Sequence, residues 1–230
     1  MNVYAISDLH LSATSDKPMD IFGGAWDKYW EIIQNNWKEI VKDEDIVLIA
    51  GDISWAMSLS DAIPDIEAIG KLPGKKIIIR GNHDYWWNSI GKIRAILPEG
   101  MYALQNDAIK LGNYVFFGSR GWVCPDREYT EEDKKLYLRE TERTKLALAA
   151  AAKLKSDGDK LVAMIHFPPF NVRREESNFS ELYRQYGVDS VVYGHLHGKN
   201  ARCDLKVNYN GTLYYLTSCD LVYNTLVKIY

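Results

Sequence analysis

Apolar and polar positions repeat one grammar three times before residue 85. "VYAIS" at 3–7 runs into Asp8, and "DIVLIAGD" at 45–52 and "KKIIIRGNHD" at 75–84 likewise close on polar residues. Short apolar runs bounded this way predict buried strands. Between the first two, "GAWDKYWEIIQNNWKEIVKD" sets Trp26, Trp30, Ile33, Trp37 and Val41 three or four residues apart, which predicts the apolar face of a helix. "DAIPDIEAIGKL" and "WWNSIGKIRAIL" give two more helical patterns. Strands and helices in alternation predict a mostly parallel sheet with helical crossovers.

Beyond residue 105 the pattern changes. "DAIKLGNYVFFGS" holds Gly112 and Asn113 between two strand-like runs, and "KVNYNGTLYYLTS" centres on Asn210 and Gly211. An Asn-Gly pair between alternating runs is a strong hairpin signal, so antiparallel strands join the architecture. "LVAMIHFPPF" and "VDSVVYGHLH" are further apolar runs ending in histidine. A mixed sheet, or two stacked sheets flanked by helices, fits this order. In "YTEEDKKLYLRETERTKLALAAAAKLKSDG" (129–158), Thr130 and Asp133 predict a capping-box start and Gly158 a stop. This reads as one long peripheral helix rather than a lid over a substrate, since charge runs are usually solvated faces.

The length of 230 residues and 47% hydrophobic content predict a single domain over 1–230, with a helical insertion at about 122–158. Lys and Arg total 28 against 31 Asp and Glu, a net charge of −3. Bulk charge therefore does not favour nucleic acid as a partner. No secretion signal opens "MNVYAISDLHLS", and no apolar run approaches the ~18 residues of a membrane span. Cys124, Cys203 and Cys219 are odd in number and widely spaced, unlike a disulfide framework or a zinc ribbon. A cytoplasmic protein without membrane attachment is the expectation.

Five histidines remain, His10, His83, His166, His195 and His197, and each falls just beyond a predicted strand. One such histidine would mean little; five at strand ends converge on one crevice in an α/β sheet. Asp8, Asp52, Asn82 and Asp84 share those positions. Imidazole mixed with carboxylate suits manganese, iron or zinc rather than magnesium or calcium. The set is too large for one closed tetrahedral site, and two ions sharing a bridging carboxylate are the known arrangement for displacement at phosphorus.

"DLH" at 8–10, "GD" at 51–52, "GNHD" at 81–84, His166 and "GHLH" at 194–197 resemble the five ordered blocks of the calcineurin-like metallophosphoesterases. The resemblance implies a four-layer α/β/β/α sandwich of two stacked mixed β-sheets flanked by helices. It implies two divalent or trivalent transition-metal ions (Mn, Fe or Zn), one held by Asp8, His10 and His197, the other by Asn82, His166 and His195, with Asp52 bridging. Residues two apart on extended chain point the same way, so His195 and His197 can address neighbouring ions. Glycines 51, 81 and 194 suit tight turns beside a crowded metal pair.

The implied activity is hydrolysis of a phosphomonoester or phosphodiester by in-line attack of a metal-bridging hydroxide, with a small phosphate ester as substrate. His83 is then the general acid and Asp84 its orienting partner; the alternative for Asp84 is a helix N-cap before "YWWNSI". The second block departs from the family, reading "GDISWAM" with Ser54 and Trp55 where a phosphate-gripping Asp or Arg is usual. Arg120 and Arg173 are candidate substitute cations, and Trp87 a candidate aromatic wall, because Trp86 and Trp87 cannot both face inward on one helical turn. A metal-dependent nuclease and a noncatalytic scaffold of the same fold are the alternatives.

Overall fold

The computed structural model describes residues 1–198, 201 and 203–230. Five strands form the first sheet in the order β11-β1-β2-β3-β4 and six form the second in the order β5-β6-β7-β8-β10-β9. In the first, β1 (Val3–Ile6), β2 (Ile46–Ile49), β3 (Lys75–Ile78) and β4 (Met101–Ala103) run parallel, and β11 (Val227–Lys228) adds an antiparallel edge. In the second, β6 (Tyr114–Ser119), β7 (Lys160–Ile165), β8 (Ser190–Tyr193) and β10 (Thr212–Leu216) run parallel. The hairpin strands β5 (Asp107–Leu111) and β9 (Lys206–Tyr209) close its two edges antiparallel. Both sheets are mixed.

Burial explains the sequence pattern. The central parallel strands are covered on both faces and therefore read as unbroken apolar runs, whereas β5 and β9 are only partly covered. Helices α1 (Tyr29–Ile40), α2 (Leu59–Gly70) and α3 (Ile90–Ile96) share a core with one face of the first sheet, through residues such as Trp37, Ile66 and Ile93. Leu48, Ile77, Phe116 and Met164 fill the space between the sheets. On the outer face of the second sheet lie α4 (Glu131–Leu154) and α5 (Asn178–Gln185), through Tyr137, Leu148 and Phe179. These three cores separate four layers, helix, sheet, sheet and helix.

The turn chemistry is as expected. Asn210 and Gly211 have φ of 51° and 87°, as a two-residue hairpin of this kind requires. Thr130 accepts from the Asp133 N–H at 3.0 Å while the Asp133 carboxylate accepts from the Thr130 N–H at 3.3 Å. Helix α4 then runs along β5 and β6 as a peripheral helix. One expectation fails: Trp86 and Trp87 are not helical, because α3 begins only at Ile90, and a turn allows both indoles to be buried. Short β4, β11 and α5 carry no periodic signal and are found only in the structure. No helix among the described residues is long and apolar enough to cross a membrane.

Replacing Phe116, fully buried between the sheets, with Ala is expected to lower the unfolding free energy by about 3–5 kcal/mol. Leu146→Ala, on the exposed side of α4, changes it by less than about 0.5 kcal/mol. Urea titration of both variants tests whether the inter-sheet layer, rather than the outer helix surface, carries the stability.

Candidate metal centre

The candidate residues all follow carboxyl ends of parallel strands. Asp8 and His10 follow β1, Asp52 follows β2, and Asn82, His83 and Asp84 follow β3. From the second sheet, His166 follows β7 and His195 and His197 follow β8. The two sets of strand ends are stitched together where Ser7 pairs with Ser218: Ser7 N–H donates to the Thr217 carbonyl at 2.8 Å and Cys219 N–H to the Ser7 carbonyl at 3.1 Å. This seam brings residues from opposite ends of the chain to one place.

Asp8, His10, Asp52 and His195 all adopt the left-handed conformation, with φ of 60°, 46°, 51° and 73°. Such geometry costs on the order of 1–3 kcal/mol per non-glycine residue and persists only where the surroundings impose it. Here it turns side chains sharply off the strand ends into the crevice. Gly194 and Gly81 serve by having no side chain rather than by unusual φ. A Cβ on Gly194 would collide with the Asp8 carboxylate, and one on Gly81 with that of Asp52.

The resulting cluster is close. His197 Nε2 lies 3.2 Å from Asp8 Oδ1, and Asp52 Oδ2 lies 3.8 Å from His10 Nε2 and 3.4 Å from His166 Nε2. The Asn82 side-chain oxygen is 2.7 Å from His166 Nε2 and 2.8 Å from His195 Nδ1. Two triads, Asp8 with His10 and His197, and Asp8 with Asp52 and His166, each bring ligand atoms within 4.8 Å of one another. Two buried ring atoms, His10 Nδ1 and His197 Nε2, have no hydrogen-bond partner. His197 Nε2 faces Asp8 at short range without hydrogen-bond alignment. Orphaned imidazole nitrogens beside buried carboxylates fit a cation, and the nitrogen-and-oxygen donor set fits a transition metal.

Charge divides the histidines. Burial pushes His10 down to about 4 against the pull of Asp8 and Asp52, and burial with the nearby His166 brings His195 to about 4. Burial also opposes protonation of His166 and His197, but there the carboxylates prevail. Asp52 helps lift His166 to about 9, and the hydrogen bond to Asp220 with the adjacent Asp8 charge lifts His197 to about 10. Burial would raise Asp8 and Asp52; the facing histidines outweigh it and hold both carboxyls below their usual range.

A profile of calcineurin-like phosphoesterases matches residues 1–199. The chain belongs to this family. A search among curated proteins gives no significant match. Among solved structures it is similar to a protein of unknown function, AQ665 from Aquifex aeolicus, at 16% identity and TM-score 0.54, covering 99% of this chain and 95% of that one. It is also similar to TT1561 of Thermus thermophilus, at 12% identity and TM-score 0.60, covering 98% and 96%. Both likenesses are to the fold.

In this calcineurin-like phosphoesterase the remaining candidate residues have other immediate contacts. Asp84 makes no hydrogen bond through its carboxylate to the His83 ring. Its buried carboxylate accepts from the N–H groups of Gly81, Asp52, Ile53 and Ser54 at 2.7–3.2 Å and from Trp86 Nε1 at 3.0 Å. It therefore braces the β2 loop against the β3 loop. Nor is it a helix cap, because Ser89 precedes α3. Burial, with Asp52 adding, pushes Asp84 up to about 6 despite those donors. Trp87 is 2% exposed and its indole N–H donates to Gln105 at 2.7 Å. The Arg120 guanidinium lies 3.8 Å from Glu140 and 4.8 Å from the centre of the Trp122 ring, and Arg173 is exposed and paired with Glu175 and Asp126. Neither guanidinium is drawn into the cluster by these contacts.

Asp220 is the residue the sequence hides. Its carboxylate accepts from His197 Nδ1 and from the Gly198 N–H, both at 2.8 Å. The bond to Nδ1 turns Nε2 toward Asp8, as an outer partner of a ligand histidine does. "SCDLVYN" carries no motif, and only the pairing of β8 with β10 brings this Asp to that ring.

Two outcomes follow. Held by Asp8, His10, Asp52, His166 and His197, a metal displaces protons from His166 and His197 but not from His10, so loading the metal-free protein with Zn²⁺ at pH 7 is expected to release about two protons. Because both displaced protons have raised pKa values, affinity climbs with pH until about 9–10; calorimetry in buffers of different ionisation enthalpy measures the release, and none at pH 7 contradicts the assignment. Asp220→Ala is expected to weaken Zn²⁺ binding about 10–100-fold in competition with a chromophoric chelator, and undiminished affinity would show that Asp8 alone orients His197.

Proposed function

We propose that the chain hydrolyses a phosphomonoester or phosphodiester of a small molecule, using two transition-metal ions. What supports this most is the position of Asp52 Oδ2 between His10 and His166, at 3.8 Å and 3.4 Å, one from each predicted ligand set. Asp8, His10 and His197 would hold one ion, and Asn82, His166 and His195 the other, with Asp52 shared. When bound, such ions supply Lewis acidity, drawing charge from a phosphoryl group and acidifying water.

The chain's own groups account for the rest. Asn82 turns its amide oxygen toward His166 and His195, fixing its orientation. Asp84 and its donors hold the loop that carries His83, and the His83 N–H donates to Asp52 Oδ1 at 2.7 Å, which fixes that residue relative to the shared carboxylate. The His83 ring stands 5.6 Å from the His10 ring and 4.7 Å from the Trp55 ring, and its Nδ1 has no partner. In the proposed reaction the oxygen of water bonds to phosphorus, the bond from phosphorus to the leaving oxygen breaks, His83 gives a proton to that oxygen, and the proton lost by the attacking water restores His83 through solvent.

The test compares p-nitrophenyl phosphate and its bis-ester with Mn²⁺- or Zn²⁺-loaded protein. Turnover of at least one is expected. Asp52→Ala should lose both metal and activity; His83→Ala should keep its metal content while kcat falls about 10²–10⁴-fold. No turnover of either ester by fully loaded protein refutes the reading, and full activity in His83→Ala removes that residue from the reaction.

A further inference from the structure

A cleft of about 860 Å³ opens directly on the cluster, with His10, His83 and His197 on its floor. Two indoles form its walls. Trp55 stacks on His10 at 4.6 Å with the rings 21° apart, and its N–H lies 3.3 Å from Met19 Sδ. Trp26 stands 5.7 Å from the His197 ring. Both walls pack directly against histidines of the cluster.

The rim is aromatic too, and it is uncovered. Phe22, on the 3-10 turn Met19–Phe22, is 68% exposed, and Tyr223 is 82% exposed. They come from distant parts of the chain, yet their turns are tied together, since the Asn224 side-chain amide donates to the Ala25 carbonyl at 2.6 Å. Two large rings held in water on linked turns at the mouth of one cleft suit an apolar ligand.

Charge narrows the ligand. Among the described lining residues the cleft has no Arg or Lys, and Asp220, its one carboxylate besides the cluster, is spent on His197 and Gly198. Lys17 lies over the Trp55 ring at 5.0 Å, outside that lining. Among the described lining residues, none is a cation placed to grip a second phosphate or a carboxylate. A separate cavity of about 600 Å³ is lined by His195 and not by His83, so it does not border the proposed proton donor.

We propose that the cleft between Trp26 and Trp55 is the leaving-group subsite, and that the preferred substrates are phosphate esters whose alcohol carries an aromatic or flat apolar group. This rests on the phosphoesterase reading above. The ester oxygen would meet His83 on the floor while the ring lies between the indole walls and under the Phe22 and Tyr223 rim.

The experiment compares 2-naphthylmethyl phosphate with ethyl phosphate, whose leaving alcohols have similar acidity, on Mn²⁺-loaded protein. The naphthyl ester is expected to exceed the ethyl ester in kcat/KM by roughly 10–100-fold, as burial of one aromatic group allows. Phe22→Ala combined with Tyr223→Ala should reduce kcat/KM for the naphthyl ester about 5–10-fold more than for the ethyl ester, with metal content measured on the same samples. Calorimetric binding of 2-naphthylmethylphosphonate and ethylphosphonate repeats the comparison without turnover. Equal kcat/KM, equal losses in the double variant, or equal phosphonate affinities overturn the subsite. Phosphonate preference without any ester turnover upholds the subsite and removes the hydrolytic reading alone.

Discussion

Two carboxylates buried side by side at the seam of two sheets are the constraint to which the rest of this molecule answers. Asp8 and Asp52 are almost wholly removed from water, and a buried charge is tolerated only when surrounded by donors and opposite charge. Asp8 receives the hydroxyls of Ser7 and Ser218 and the N–H of His195. Asp52 receives the His83 N–H and faces two imidazoles. The left-handed backbone, the bare glycines and the pairing of Ser7 with Ser218 are local means of holding these acids in place.

Asp84 extends the same logic outward. It is a third buried acid, close enough to Asp52 to be raised by it, and it is tolerated because five N–H groups converge on it. Its role is mechanical: one carboxylate fixes two loops of the first sheet, so Asp52 and the segment 81–83 cannot move independently. The aromatic residues add a second restraint. Trp55 lies against both His10 and His83, and Trp26 against His10 and His197, so ring orientations in the cluster are set by packing as well as by hydrogen bonds.

Much of this was legible in the chain because the signals are local. Unbroken apolar runs announce strands covered on both faces, Asn210-Gly211 announces a hairpin, and histidines beyond strand ends announce a common crevice. Trp86 and Trp87 misled because helical spacing continues backward from α3, while the bond from Trp86 to Asp84 holds them in a turn. Asp84 misled because adjacency to His83 suggests partnership, whereas its carboxylate is directed to backbone 30 residues away. Asp220 was invisible because its function depends on β10 lying beside β8, a long-range fact. Helix α5 opens on Ser177 with Ser180 rather than an acid at the third position, and is too short for periodicity to reveal it.

The seam at Ser7 and Ser218 has a consequence for how such a protein matures. Asp8 is completed by a hydroxyl 210 positions away, so a nascent chain grown only through His197 would carry every candidate ligand and still lack the segment that completes the burial of the first of them. The candidate metal pocket thus belongs among the last parts to assemble, and contacts of such long sequence separation form slowly. An ion bound there would meet a nearly finished scaffold, instead of acting as the template around which the polypeptide collapses.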